Sequence, residues 1–247
     1  MKQKHGYRRG YSVAVLIGFE ENRAVLWQVF SNVVKPLATM ELMGMRKDEK
    51  ALYNFHEDVV NALRPVLEEG VKSIVVAAPL RTTYAEQFLN HVRKHHAWLT
   101  QDSGSGMAVF GRLVGLAGTF SEVANLVKTK EFRKLISDTT SEEADRIVDV
   151  LEKRLNEIDS GTVVLYSLKE IEDLIYGQWK QSNLKPEYLM LTDKYLAEHK
   201  EKNRIHRLLQ IAKNKNVKTR IVSAETAAGK RLNQFGGIIC FTEEPNQ

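Results

Sequence analysis

The sequence predicts an α/β protein of two domains: a mixed-sheet domain over residues 11–125, then an α-β-α sandwich over residues 126–247, behind a basic tail at residues 1–10. Three observations carry this. The chain opens with apolar, strand-like runs separated by a short polar turn. A long amphipathic helix then leads into a short, continuously apolar strand. From Thr162 onward, strands and helices alternate strictly, as in a layered α/β domain. With 247 residues, of which 43% are apolar, the chain can build a sizeable core in each part.

Ser12 to Phe19 and Arg23 to Phe30 are apolar runs separated by Glu20-Glu-Asn22, and they read as a hairpin. Strand-like sequence continues past Val33 and passes through Glu41-Leu-Met-Gly-Met-Arg-Lys-Asp-Glu-Lys50. Leu52, Phe55, Val59, Leu63 and Leu67 then recur at helical spacing, which predicts an amphipathic helix over 50–69. Ser73 to Ala78 is a buried strand closed by Pro79. Thr83-Tyr-Ala-Glu86 has the pattern of a capping box and starts a helix to about His95. Trp98 and Leu99 are expected in one more strand. Gln101 to Gly106 is a loop, and the glycine-containing run Met107 to Ala117 is expected to be a flexible, closely packed connection.

Helical pattern resumes from Phe120 to Ile136, and Thr140-Ser-Glu-Glu143 is expected to cap a further helix. The domain boundary is placed between Gly118 and Asp138. Strands are expected at Thr162 to Tyr166, Tyr188 to Leu191, Thr219 to Ser223 and Gly237 to Phe241. Helices between them begin at a third box, Ser167-Leu-Lys-Glu170, and cover 202–214 and 226–235. Gly236 and Gly237 join the last helix to the last strand and are expected to be structural.

The net charge of +5 and pI near 9.1 allow a polyanionic partner, although charges of both signs are mixed along the chain. Cys240, in an apolar run, excludes an intramolecular disulfide and fits a reducing cytosol. No secretory signal or stretch of membrane-spanning length is visible, so a cytoplasmic protein that does not enter a membrane is expected.

Chemistry-bearing constellations are sparse. His91 and His95 sit four apart with His96 adjacent, but no acidic or cysteine ligand at metal spacing accompanies them. They are expected to be solvated surface histidines, with no metal or cofactor. His56-Glu-Asp58 are helix neighbours about 100° apart and form no nucleophile-base pair. Asp138, Asp145 and Asp193 are scattered. The Gly-Ser-Gly loop and Ala227-Ala-Gly-Lys230 match neither the dinucleotide nor the P-loop pattern. Between its strand and helix, the loop near Gly44 carries Met45, Arg46, Lys47 and Lys50, and its cations can neutralise phosphates.

Ile136-Ser-Asp-Thr139, Val164-Leu-Tyr-Ser-Leu-Lys169, Tyr188-Leu-Met-Leu-Thr-Asp193 and Gly229-Lys-Arg-Leu-Asn-Gln-Phe-Gly-Gly237 occur in that order, after Tyr53-Asn-Phe-His-Glu-Asp-Val-Val60 and Ile74-Val-Val-Ala-Ala-Pro79. Together they resemble Pelota and the archaeal and eukaryotic class-1 release factors, from about Tyr11 to Phe241. The resemblance implies a tRNA-mimicking middle domain that reaches the peptidyl transferase centre. It also implies a C-terminal domain that docks an elongation-factor-like GTPase or the ribosome-recycling ATPase. Gly44, Met45, Arg46, Lys47 and Lys50 then form the tip that meets ribosomal RNA and peptidyl-tRNA.

Three departures from the family follow. The tip lacks the Gly-Gly-Gln motif whose glutamine helps water attack the peptidyl-tRNA ester. Only about ten residues precede the first strand, so the decoding domain is expected to be absent and stop codons unread. Met107 to Ala117 looks inserted, and Lys185-Pro186 replaces a Gly-Ala pair. The resulting expectation is a ribosome rescue or quality-control factor acting on the large subunit. Alternatives are a peptidyl-tRNA hydrolase, with Arg46, Lys47 or a backbone N–H in place of the glutamine, and a ribosome-silencing or GTPase-adaptor protein.

Overall fold

The computed structural model describes residues 11–100, 107–156, 161–177 and 184–243. The basic tail and the Gln101 to Gly106 loop therefore lie outside the described residues. The chain divides into two units. One contains residues up to Arg64 together with Val71–Thr140, and the other contains Pro65–Gly70 and everything from Ser141 onward. Each has its own sheet.

In the first unit, β1 (Ser12–Phe19), β2 (Arg23–Phe30), β3 (Val34–Glu41), β4 (Ser73–Ala78) and β5 (Val109–Val114) form one sheet in the order β3-β2-β1-β4-β5. The hairpin forms as the sequence predicts, closed by Glu20 N donating to Arg23 O at 2.8 Å. β4 pairs parallel with β1, and β5 parallel with β4. Both faces are covered, which is why β1 reads as a continuous apolar run with little alternation. Ala14, Leu16, Val25, Trp27, Val75 and Ala77 face one way, with Ala117, Val123 and Phe132 packed on them. On the opposite face, Phe19 meets Phe55 of α1 (Glu49–Glu68) and Phe88 of α2 (Tyr84–His95), with ring centroids 6.0 and 5.1 Å apart.

Two expectations fail in this unit. Ala97–Leu99 is a 3-10 turn and not a strand, because Leu99 N bonds back to His96 O while the Leu99 side chain stays buried. Met107 to Ala117 is not a loose connection, since its centre is β5, in register with β4 from Ser73↔Val109 to Ala78↔Val114. Its glycines suggested flexibility, but parallel pairing supplies the order that composition does not.

The second unit is the α-β-α sandwich. β6 (Val164–Leu165), β7 (Pro186–Thr192), β8 (Lys218–Val222) and β9 (Ile238–Thr242) lie in the order β6-β9-β7-β8. β7 is buried at every residue. Tyr188, Met190, Ile239 and Phe241 face Ile147, Val148 and Leu151, which belong to a helix running from Lys130 to Asn156, and also Leu232 of the helix Ala227–Gln234. Leu189, Leu191, Ile238 and Cys240 face Ile171, Ile205 and Leu208 on the other side. Alternation along each strand thus feeds two separate helical layers.

The three expected capping boxes do not form. Thr83 and Ser167 make no side-chain cap hydrogen bond. Thr140 lies inside the Lys130–Asn156 helix, where its hydroxyl donates to Ile136 O at 2.7 Å. A box does form at Thr119-Phe-Ser-Glu122, which starts a helix at Phe120.

Gly236 and Gly237 have φ of +92° and +87°, and a Cβ on Gly237 would sit 3.1 Å from Tyr195 Cδ2. Gly237 N also donates to Leu232 O, and Gly237 O accepts from Thr192 N. Gly237→Val is expected to cost about 1–3 kcal/mol from the backbone conformation alone. Thermal unfolding of the variant checks this, and an unchanged midpoint removes the structural role.

Candidate nucleic-acid interface

Strand direction decides what shares an end of the first unit. β2 runs against β1 and β3 against β2, while β4 and β5 run with β1, so β1, β3, β4 and β5 all point the same way. The segments that follow them, at 20–22, 42–48, 79–83 and 115–119, therefore lie at one end of the sheet. The tip expected from sequence is the second of these.

Its geometry is fixed residue by residue. Leu42 is buried and its N donates to Asn22 O at 2.7 Å, which fastens the exit of β3 to the β1–β2 turn. Gly44 has φ of +132°, a conformation that a side chain disfavours, and its N bonds Leu42 O at 3.1 Å. Asp48 Oδ1 accepts from Lys50 N and Ala51 N at 2.9 and 3.2 Å and so caps α1.

Arg46 is the fastener between these points. Its Nε donates to Glu21 O and its Nη2 to Glu20 O, both at 2.5 Å, and its Nη1 reaches Gln87 Oε1 at 3.5 Å. The guanidinium also lies 3.8 Å from the centre of the Tyr84 ring. Burial pulls its pKa below the ordinary arginine value, with Tyr84 and Glu21 acting in the opposite sense. This corrects one expectation: Arg46 is not a free cation at the tip, because two carbonyls and a ring already occupy it. Sequence spacing carries no sign of this, since the carbonyl acceptors lie twenty-five and twenty-six residues upstream.

Lys47 and Lys50 are exposed, as is Arg81 after β4. Met43 and Met45 stand out of the loop, 84% and 77% exposed, and Leu80 is 69% exposed at the same end. Sequence reading included Met45 and missed Met43 and Leu80, because an exposed apolar side chain has no periodicity to betray it. Glu20, Glu21 and Glu41, with Asn22, Arg23 and Leu42, border a shallow cleft of about 480 Å³ on the hairpin side. The end thus combines exposed apolar side chains with a flank on which the exposed Lys47 and Lys50 bracket Asp48 and Glu49, and with a cleft bordered by carboxylates. Phosphates can pair with the individual ammonium groups of Lys47 and Lys50 and are repelled from the cleft.

Other candidate residues divide between structural roles and one unexpected cluster. Asp193 Oδ1 accepts from Ala224 N at 2.9 Å and holds a turn in place. The Cys240 thiol is buried and pushed up to about 12, which makes it a core residue and no nucleophile. His56 is buried, its Nε2 has no hydrogen-bond partner, and burial drives its pKa down to about 3, so its ring is neutral. His91 and His96 are not solvated as expected: both are buried, with Nε2 atoms 3.1 and 2.8 Å from Glu57 Oε1. His95 does stay exposed. Sequence missed Glu57 as their partner because it comes from α1, thirty-four residues before His91.

The chain is thus an α/β protein of two units, the first with a strand-to-helix tip loop and the second an α-β-α sandwich. Residues 144–242 match the family model described as eRF1 domain 3. The chain is 26% identical over 197 residues to the protein pelota homolog of Pyrococcus furiosus, covering 79% of this chain and 49% of that protein. It is also 26% identical over 195 residues to the Pyrococcus abyssi homolog, covering 78% and 49%. The chain spans about half the length of the curated relatives it matches. Among solved structures, a model of ribosome-bound archaeal Pelota and ABCE1 shares the fold with TM-score 0.54 and 16% identity, over 100% of this chain and 65% of that one. The resemblance read from the sequence holds: the chain is similar to Pelota through both of its units, since 197 matched residues exceed either one alone.

Proposed function

We propose that the protein is a ribosome-associated translation factor that acts at the large subunit and its peptidyl-tRNA, in rescue or quality control of stalled ribosomes. The observation that carries this reading is the Pelota similarity running through both units. The tip supports it, because Lys47 and Lys50 stand exposed on a loop tethered at both ends. Such a loop meets RNA phosphates without the ordering cost of a free segment. The second unit, matched to eRF1 domain 3, is the docking part for an elongation-factor-like GTPase or the ribosome-recycling ATPase. Its place of action is the cytoplasm; among the described residues no helix is long and apolar enough to cross a membrane.

Ester hydrolysis is not part of this reading. Of the groups that could replace the glutamine of release factors, Arg46 is committed to Glu20 O and Glu21 O.

The test is the affinity of wild type and of the Lys47→Ala/Lys50→Ala double variant for purified large subunits across a salt series. The slope of log K against log salt is expected to fall by up to roughly two units, about 0.9 for each phosphate no longer neutralised. Stability is expected to change by no more than about 0.5 kcal/mol, since both side chains are exposed. Superimposable curves would remove the tip from the interface and favour an adaptor working through the second unit. Failure of the wild type to bind large subunits at all would overturn the proposal itself.

A further inference from the structure

We propose that Glu57, His91 and His96 form a binding site for a divalent transition-metal ion, best matched by zinc, that clamps α1 to α2. This stands apart from the ribosomal reading and needs nothing from it. Glu57 comes from α1 and His91 and His96 from α2 and its C-cap, and their ligand atoms all lie within 4.8 Å of one another. Both imidazole Nε2 atoms face the same carboxylate oxygen, Glu57 Oε1, at 3.1 Å from His91 and 2.8 Å from His96.

Those separations fit a metal polyhedron. With zinc–nitrogen and zinc–oxygen distances near 2.0–2.1 Å, neighbouring ligands of a tetrahedral ion lie about 3.3–3.4 Å apart. The two imidazole–carboxylate edges need to open by only a few tenths of an ångström, while the imidazole–imidazole edge, within 4.8 Å, has to settle to the same length around an ion. Two imidazoles and one carboxylate are the donor set of many three-ligand zinc sites, with the fourth position left to water. Magnesium and calcium prefer all-oxygen ligands and fit poorly.

The surroundings also suit a site. The His91 and His96 side chains are 6% and 7% exposed, which limits the rings to few orientations. Glu57, at 25%, leaves a route in for the ion. The Tyr53 ring packs edge-on against the His91 imidazole, with centroids 5.0 Å apart, and helps to hold that ring in place. Beside this lies a second buried imidazole, His56, whose ring centre is 5.1 Å from that of His91 and whose Nε2 is unpartnered. The competing arrangement is a plain hydrogen-bond cluster in which each imidazole donates Nε2–H to the carboxylate.

The experiment uses the full chain, stripped with a chelator and titrated with Zn2+ calorimetrically and with Co2+ by visible absorption. One ion per chain, the intense d–d bands of tetrahedral Co2+ and a raised unfolding temperature are expected. Glu57→Gln and His96→Gln should each weaken Zn2+ binding by on the order of 100-fold or more, given that even outer-shell changes cost 10–100-fold. His95→Gln, on the exposed neighbour, should leave binding unchanged. Should either ligand variant fail to fold, the Nε2 nitrogen shifts of His91 and His96 in the wild type give the same answer by moving or staying on Zn2+ addition. The proposal is overturned if the folded wild type takes up no ion, if uptake survives in Glu57→Gln and His96→Gln, if Co2+ binds only octahedrally, or if those nitrogen shifts stay put.

Discussion

Glu143→Ala is expected to destabilise the second unit by about 3–5 kcal/mol, the range for breaking one side of a buried ion pair. Glu143 lies on the helix Lys130–Asn156 and Arg220 on β8, with Arg220 Nε donating to Glu143 Oε1 at 2.5 Å. Their side chains are 4% and 8% exposed. Arg220 has little in reserve: Nη1 reaches Thr219 O at 3.1 Å, while Nη2 is buried without a hydrogen-bond partner. Truncating the carboxylate strands a guanidinium that water cannot readily reach, and the loss comes chiefly from that stranded charge. A paired change, Glu143→Leu with Arg220→Met, removes both charges at similar volume and is expected to recover most of the loss. Urea midpoints of the single and double variants measure the difference. Equal destabilisation in both would show that packing, and not the unpaired charge, sets the cost.

Glu143 also illustrates what the sequence can and cannot disclose. Thr140-Ser-Glu-Glu143 has the spacing of a capping box, and local pattern alone places a helix start there. The same hydroxyl can instead bond a carbonyl four residues back, as Thr140 does with Ile136, and the helix continues. The carboxylate is then free to reach a strand seventy-seven residues away, which no local rule anticipates. Layering was legible for the opposite reason. The apolar runs of β1, β4 and β7 are long enough to be recognised as strands buried on both faces, and the helices between them fix the α/β class. β5 was not legible, because Val109–Val114 includes Gly111 and Arg112 and draws its order from pairing with β4. The candidate sites follow the same division. Exposed Lys47 and Lys50 could be read from a short loop between strong elements, whereas the Glu57–His91–His96 cluster depends on how α1 and α2 pack.

Arg46→Ala is expected to destabilise the first unit by about 2–4 kcal/mol, although Arg46 sits in a loop among exposed cations whose removal should cost almost nothing. Two charge-assisted hydrogen bonds to Glu20 O and Glu21 O disappear, at about 1.5–3 kcal/mol for a hydrogen bond to a charged group. Stacking over Tyr84 at 3.8 Å goes with them, at about 0.5–2 kcal/mol. Simple addition overstates the total, because the carbonyls can take water once the side chain is gone. Arg46→Lys should recover less than half, since an ammonium offers a point charge where the fork spans two carbonyls and lies flat on a ring. The consequence reaches the proposed interface. Without this fastener, the segment carrying Met43, Met45 and Lys47 keeps the Leu42 and Asp48 anchors and its short internal bonds, Gly44 N to Leu42 O and Asp48 N to Met45 O, but loses the Arg46 tie to the β1–β2 turn and must be ordered again at each encounter with RNA. Weaker large-subunit binding with an unchanged salt slope is therefore expected from Arg46→Ala, in contrast to the flattened slope of Lys47→Ala/Lys50→Ala. Urea unfolding and the salt series, run on the same preparations, separate the two roles. An Arg46→Ala variant within about 0.5 kcal/mol of wild type, with a salt slope flattened like that of the double variant, would make Arg46 a phosphate ligand after all and its hold on the β1–β2 turn incidental.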